Sequence, residues 1–245
     1  MKSLTSALAA AVMMLFLGAG TLAAQLFANP VYFSPKGPNG LTVAVDFGTT
    51  LQTQLDDVEA SAKPNNVGAR AILGLPMFSV GVGAGIFNPD VSGLDKEVQL
   101  SGQAAVKIFS PPLLPVGVSL QAGAAYLQQG SGATAVKFID VPLGLAVGVK
   151  PPSPAVSFEA WAAPRVQLRR VSFTGSSATQ AGIGASAGVN LGMPMGLGLH
   201  LAADWSRLSR KTSGTINLGK TETLIFGVGL HYTFTIPGIP MVPVI

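Results

Sequence analysis

Ten side chains able to do chemistry share one parity within otherwise apolar, alternating stretches: Asp46, Arg70, Lys107, Asp140, Glu159, Arg165, Arg169, His200, Asp204 and His231. Acids and bases enclosed together can neutralise one another as ion pairs, because a buried charge needs a partner. If the same compartment held water, Arg165 and Arg169 would favour anions at a constriction. His200 and His231 are the only histidines, and adjacent antiparallel strands could bring them together. Two ligands are too few for an ordinary metal site, so neither a metal nor a cofactor is expected. "HLAADWS" places Ser206 six residues after His200, but a nucleophile and its base must come within hydrogen-bond reach, and this spacing does not predict that. "GVGAG" and "GIGAS" lack the strand-to-helix setting and GK[ST] sequence of a phosphate loop. No enzymatic activity is expected.

The elements that must position these residues are strands. In "LIFGVGLHYTF", Leu224, Phe226, Val228, Leu230, Tyr232 and Phe234 fall on one face, with Ile225, Gly227, Gly229, His231 and Thr233 on the other. "VGVSLQAGAAY" and "VSFEAWAAPRVQLR" alternate in the same way. The pattern predicts ten strands, near 41–48, 67–75, 80–87, 97–108, 116–127, 138–149, 155–169, 181–191, 196–206 and 222–234; eight or twelve result if a weak strand is miscounted.

Charge is concentrated on one face, and this decides the solvent. A soluble barrel would turn its Leu/Val/Phe face inward and need a charged exterior, yet only 11% of the chain is charged, against about 25% in ordinary domains. The apolar face therefore meets lipid, where a Lys or Arg at the midplane costs about 2–4 kcal/mol. Lipid cannot satisfy backbone donors and acceptors, so the strands must close. The expected fold is all-β: a closed antiparallel up-and-down transmembrane barrel over 41–234. Its inward glycines, among them Gly144, Gly184, Gly188 and Gly229, would either leave a narrow water-filled pore or ease strand curvature.

Lys2 followed by "ALAAAVMMLFLGAG" and the small residues of "TLAAQ" has the layout of a secretory leader, residues 1–24. A membrane-anchoring helix is the competing reading of this stretch. Residues 25–40 form a periplasmic lead-in and 235–245 a tail. Lys2 is the only charge before Gln25, so the mature chain carries 14 basic and 11 acidic residues. That mild, scattered excess gives no support to nucleic-acid binding, and with no Cys there is neither a disulfide framework nor a lipidated N-terminal Cys.

Short proline-bearing connections, such as "KPPSP" and "GMPMG", alternate with longer polar ones, such as "TLQTQLDDVEASAKPNN", "RVSFTGSSATQ" and "RLSRKTSGTINLGK". Short turns at the periplasmic rim and long outer loops are the habit of outer-membrane barrels. Phe47, Phe87, Phe109, Tyr126, Phe138, Trp205, Tyr232 and Phe234 lie near strand ends, where interfacial girdles would sit. The acidic first loop and the basic last one could contact a surface ligand electrostatically.

The leader, the alternating strands and the final "GLHYTF" resemble the small bacterial outer-membrane β-barrel family, also described as the porin family or outer-membrane-protein β-barrel domain. The resemblance covers about residues 41–234. It implies outer-membrane lipid as surroundings and the outer-membrane insertion machinery as a partner, with Tyr232 and Phe234 as the C-terminal aromatic signal; here "TIPGIPMVPVI" follows, where the family usually stops. The implied roles are envelope structure or small-solute passage. A surface adhesin or receptor acting through its loops is the alternative, and a membrane-embedded lipid hydrolase the enzymatic one.

Overall fold

The computed structural model describes residues 35, 40–111, 114–153, 156–214 and 216–236. The expected leader lies outside these residues, as do most of the lead-in and tail. Among the described residues thirteen strands occur in chain order: β1 (Gly40–Leu55), β2 (Val58–Glu59), β3 (Asn65–Gly74), β4 (Phe78–Asn88), β5 (Glu97–Phe109), β6 (Val116–Gln129), β7 (Val136–Val149), β8 (Ser157–Phe173), β9 (Ser176–Gly192), β10 (Leu197–Leu208), β11 (Lys211–Ser213), β12 (Ile216–Leu218) and β13 (Thr221–Phe234). Ten of them, β1, β3 to β10 and β13, make one antiparallel sheet in chain order, and β13 returns to pair with β1 from Leu41↔Phe234 to Leu55↔Thr221. The barrel is closed and its ten strands match the expected number. The opening stretch "LTVAVDFG" and the final "LIFGVGLHYTF" are the two sides of that seam.

Side-chain parity runs as the alternation requires. Val45, Val82, Val98, Val166 and Leu230 face outward and are more than half exposed, while Asp46, Asp140, Arg169, Asp204 and Thr223 face inward and are buried. Backbone groups in hydrocarbon can be satisfied only by neighbouring strands, and the closed ladder leaves no edge.

The strands run further outward than expected. "RVSFTGSSATQ", read as a loop, is almost all strand: β8 and β9 pair to the last residue, Phe173↔Ser176, and turn at Thr174 and Gly175, both with positive φ. That two-residue hairpin needs left-handed backbone at both positions. Likewise β1 continues to Leu55 and turns back through Asp56 and Asp57, with β2 pairing Leu55↔Val58. These ends escaped the sequence reading because the alternation changes phase there. In the lower part of β8, apolar Val166 and Leu168 point out and Arg165 and Arg169 point in; above, Arg170 points out and Val171 in. Outside the hydrocarbon the solvent is water, and the wall reverts to soluble-barrel polarity.

The same inversion relocates two aromatics expected in the lipid girdle. Phe87 and Phe138 are fully buried inside the outer mouth, whereas Phe47, Phe109, Tyr126, Tyr232 and Phe234 are exposed on the lipid face. Tyr232 and Phe234 also touch edge to face, 4.7 Å between ring centroids.

Replacing Val82, an outward residue midway along β4, with Arg is expected to destabilise the barrel by about 2–4 kcal/mol. Val82→Leu is expected to leave it unchanged. Equilibrium unfolding from lipid vesicles reads the difference.

Candidate functional site

All ten chemically capable side chains named from sequence fall at inward positions, and register decides which of them meet. Arg169 and Asp140 are a directly opposed pair across β8 and β7. The guanidinium grips the carboxylate with two parallel bonds, Nε to Oδ1 and Nη2 to Oδ2, each 2.8 Å. This fork geometry is the strongest form of the interaction. Arg165 bonds Asp204 Oδ1 through Nη2 at 2.8 Å and Ser186 Oγ through Nη1 at 2.8 Å, while Ser186 donates to the other oxygen of Asp204. Arg70 Nε lies 2.8 Å from Asp46 Oδ2. The three arginines and three aspartates of the outer lumen are thus matched one to one.

Asp46 does not stop at Arg70. Its Oδ1 lies 2.6 Å from His200 Nε2, and His200 Nδ1 lies 2.9 Å from His231 Nδ1. The short Asp46 contact requires a proton on His200 Nε2, so a neutral His200 accepts the Nδ1–H of His231. Arg70 Nη2, 3.3 Å from His200 Nε2, then contributes charge rather than a hydrogen bond, because both atoms carry protons. Asp46 and His200 share a rung, since Asp46 is level with Gly229 and Gly229 with His200, while His231 is level with Ala44 and Gly198. Tilted strands offset residue counts from depth. Both ring nitrogens of His200 are engaged in this chain, while Ser206 lies against Thr223, 3.2 Å between hydroxyl oxygens.

The inward glycines make room for this filling. A Cβ on Gly229 would stand 2.2 Å from His200 Nε2 and 2.5 Å from Asp46 Oδ1, so the imidazole crosses the β13 backbone only because no side chain is there. Gly184 carries the Arg165 guanidinium in the same way, and Gly188 the Trp161 indole. Of the two expectations for these glycines, neither an empty pore nor curvature alone describes them: long side chains from neighbouring strands lie over them.

Two further layers pack inside the lumen. Phe87, Leu127, Val136, Phe138 and Val171 form an apolar cluster in the outer mouth, completed by Ile216 and Leu218 of the short β11–β12 hairpin. The sequence reading took that segment, "RLSRKTSGTINLGK", for a solvated basic loop and missed its apolar pair, although Ile216 and Leu218 alternate with Asn217. Trp161 packs among Ala146, Ala163, Ala202 and Ile225 in a second cluster. Toward the inner end Lys107 Nζ donates to Leu75 O at 3.1 Å, and Asn190 reaches Glu159 at 3.5 Å. Pro35 is buried there against Gly148, close to Glu159.

The acidic and basic outer loops bind each other. Asp56 accepts from Arg210 at 2.8 Å and from the Lys220 backbone N–H at 2.8 Å, and Lys220 Nζ reaches Asp57 at 2.5 Å. Arg210 first, then the Lys220 N–H, hold the Asp56 carboxyl below its ordinary value.

Closed antiparallel strands with an apolar exterior and a charged interior define the class of protein: a small transmembrane β-barrel of the outer-membrane type. No protein-family model and no curated protein matches the chain. Among solved structures it is similar to the outer membrane protease OmpT of Escherichia coli, at 11% identity over 82% of this chain and 100% of that chain, TM-score 0.43. The beta domain of the Bordetella autotransporter BrkA matches at 10% identity over 80% of this chain and 100% of its own, TM-score 0.49. Neisserial surface protein A matches at 13% identity over 81% and 99%, TM-score 0.38.

Two outcomes follow from this geometry. Arg169→Ala leaves Asp140 buried and unpaired and is expected to cost about 3–5 kcal/mol, whereas Arg169→Met with Asp140→Leu is expected to recover most of that loss in urea unfolding. The depressed Asp56 carboxyl strengthens the loop contact fully above its unfolded value near 3.8, and that contribution is lost as pH falls through the lower, folded value. Hydrogen exchange at the Lys220 amide is therefore expected to be flat from pH 7 to about 5, after correction for intrinsic exchange, and to accelerate below about 4. Asp56→Asn abolishes the step.

Proposed function

We propose that the protein is exported by the leader at residues 1–24 and inserted as an integral, non-enzymatic outer-membrane barrel whose role is structural, its lumen closed in the resting state. One observation carries this reading. Arg169, Asp140, Asp204 and Glu159 lie inside a barrel open in principle at both ends, yet each is at most 3% exposed. A conducting lumen would leave its polar lining wet. Here Arg169 is paired with Asp140 and Arg165 with Asp204, Asn190 reaches Glu159, apolar clusters lie in the outer mouth and around Trp161, and Pro35 is packed near the inner end.

The small-solute pore becomes the weaker reading, because Arg165 and Arg169, its proposed constriction, have their guanidinium groups committed to aspartates. The surface-adhesin reading loses part of its electrostatic basis in the same manner, since Asp56 and Asp57 of the first outer loop are paired with Arg210 and Lys220 of the last. The insertion-machinery partner remains tied to Tyr232 and Phe234, both exposed at the inner end of β13.

Refolded protein in a planar bilayer, its folding confirmed by heat-modifiable gel migration and β-type circular dichroism, is expected to be electrically silent. Reproducible current steps whose size or ion selectivity changed with Arg165→Ala or Arg169→Ala would overturn the closed-lumen reading and establish a pore.

A further inference from the structure

Where the wall inverts its polarity, one side of the exterior forms an ordered grid. On the first outward-facing rung beyond Val141 and Leu168, Tyr126 of β6, Ile139 of β7, Arg170 of β8 and Thr179 of β9 stand side by side. One rung further out are Gln128, Lys137, Ser172 and Ser177. Directly beneath, Val141 and Leu168 are opposed and exposed on the lipid face.

Three properties of this grid point the same way. It carries two cations and no carboxylate, and Lys137 and Arg170 are diagonal neighbours on adjacent strands, about 7–8 Å apart at the backbone. Like charges at that spacing repel unless an anion lies between them. Among the described residues the Arg170 side chain bonds a neutral group, Ser177 Oγ, at 3.2 Å. The rest of the grid supplies hydroxyl and amide groups, with Tyr126 donating to Gln128 Oε1 at 3.0 Å and the Gln128 amide nitrogen donating to the Gly130 carbonyl at 3.2 Å.

The position of the grid identifies what completes it. Acyl chains must cover Val141 and Leu168, since these side chains are exposed in the band where only hydrocarbon can solvate them. The headgroup attached to those chains then lies against the next rungs outward, which are those of Arg170 and Lys137. Because the long connections are on this side, it is the outer leaflet. We propose that the outward face of β6 to β9, centred on Lys137 and Arg170, is a binding site for the phosphate of an outer-leaflet lipid headgroup. Arg170 presents a planar fork suited to two phosphate oxygens, and Lys137 a point charge above it. Gln128 and Ser172 flank Lys137 and fix orientation more than they add affinity. The site is independent of whether the lumen conducts.

The test uses full-length mature barrel refolded in dodecyl maltoside and titrated with diphosphorylated lipid A or with the same lipid after dephosphorylation, bound lipid being counted by native mass spectrometry. The wild type is expected to prefer the phosphorylated lipid by about tenfold or more, from two cations worth about a factor of five each. Lys137→Gln with Arg170→Gln is expected to erase the preference. Both positions face outward and are not part of the lumen packing, so heat-modifiable migration is expected to be unchanged in the double variant. Equal binding of the two lipids by the wild type, or a preference that survives in the double variant, would overturn the proposal. So would displacement of the lipid by inorganic phosphate at equal concentration, which would mark a bare anion site instead of a headgroup site.

Discussion

The seam between β1 and β13 is the constraint on which the rest of the molecule depends. In hydrocarbon an unpaired strand edge would expose a row of unsatisfied backbone groups, so the last strand has to find the first. The register in which it does so, with Leu41 opposite Phe234 and Asp46 opposite Gly229, does more than satisfy the ladder. It brings the carboxylate of β1 across a glycine to the imidazole of β10 and connects Arg70, Asp46, His200 and His231, which are far apart in the chain, into one polar chain. A slip of β1 by one residue would send Asp46 into lipid, break its contacts to Arg70 and His200, and turn Val43 and Val45 into the lumen.

The lumen then fills according to size and charge. Arginine, tryptophan and histidine are too large to stand side by side around a ten-stranded barrel unless some neighbours have no side chain. Gly184, Gly188 and Gly229 provide that room beside Arg165, Trp161 and His200. Each arginine ends on an aspartate, so burial costs little beyond desolvation that the pairing offsets, and removal of one partner is more harmful than removal of both. The filled interior and the apolar cluster of the outer mouth favour a barrel that holds its shape in the membrane over one that passes solute through it.

The exterior is governed by the change of solvent at the membrane surface. Over the span, apolar side chains point out and polar ones in. Beyond it, Lys137, Arg170 and Arg207 point out, while Val136, Val171 and Leu208 point in. The inversion explains three features together. The strands extend beyond the hydrocarbon, Phe87 and Phe138 belong to an internal cluster instead of a girdle, and the Ile216/Leu218 hairpin finds an apolar seat in the mouth.

Sequence by itself determined the architecture, because a period of two with charge on one parity has only one stable solution in a medium that cannot hydrogen-bond to the backbone. It determined the number of strands and the direction in which Asp46, Arg70, Lys107, Asp140, Glu159, Arg165, Arg169, His200, Asp204 and His231 point, since parity alone sets that. It did not determine which of them meet. Pairing of Arg169 with Asp140, the reach of His200 over Gly229, and the contact of Asp56 with Arg210 depend on register and strand tilt, which position along the chain does not encode. The outer strand ends were illegible for a related reason: alternation continues there with the opposite phase, and only the folded wall shows where lipid ends and water begins.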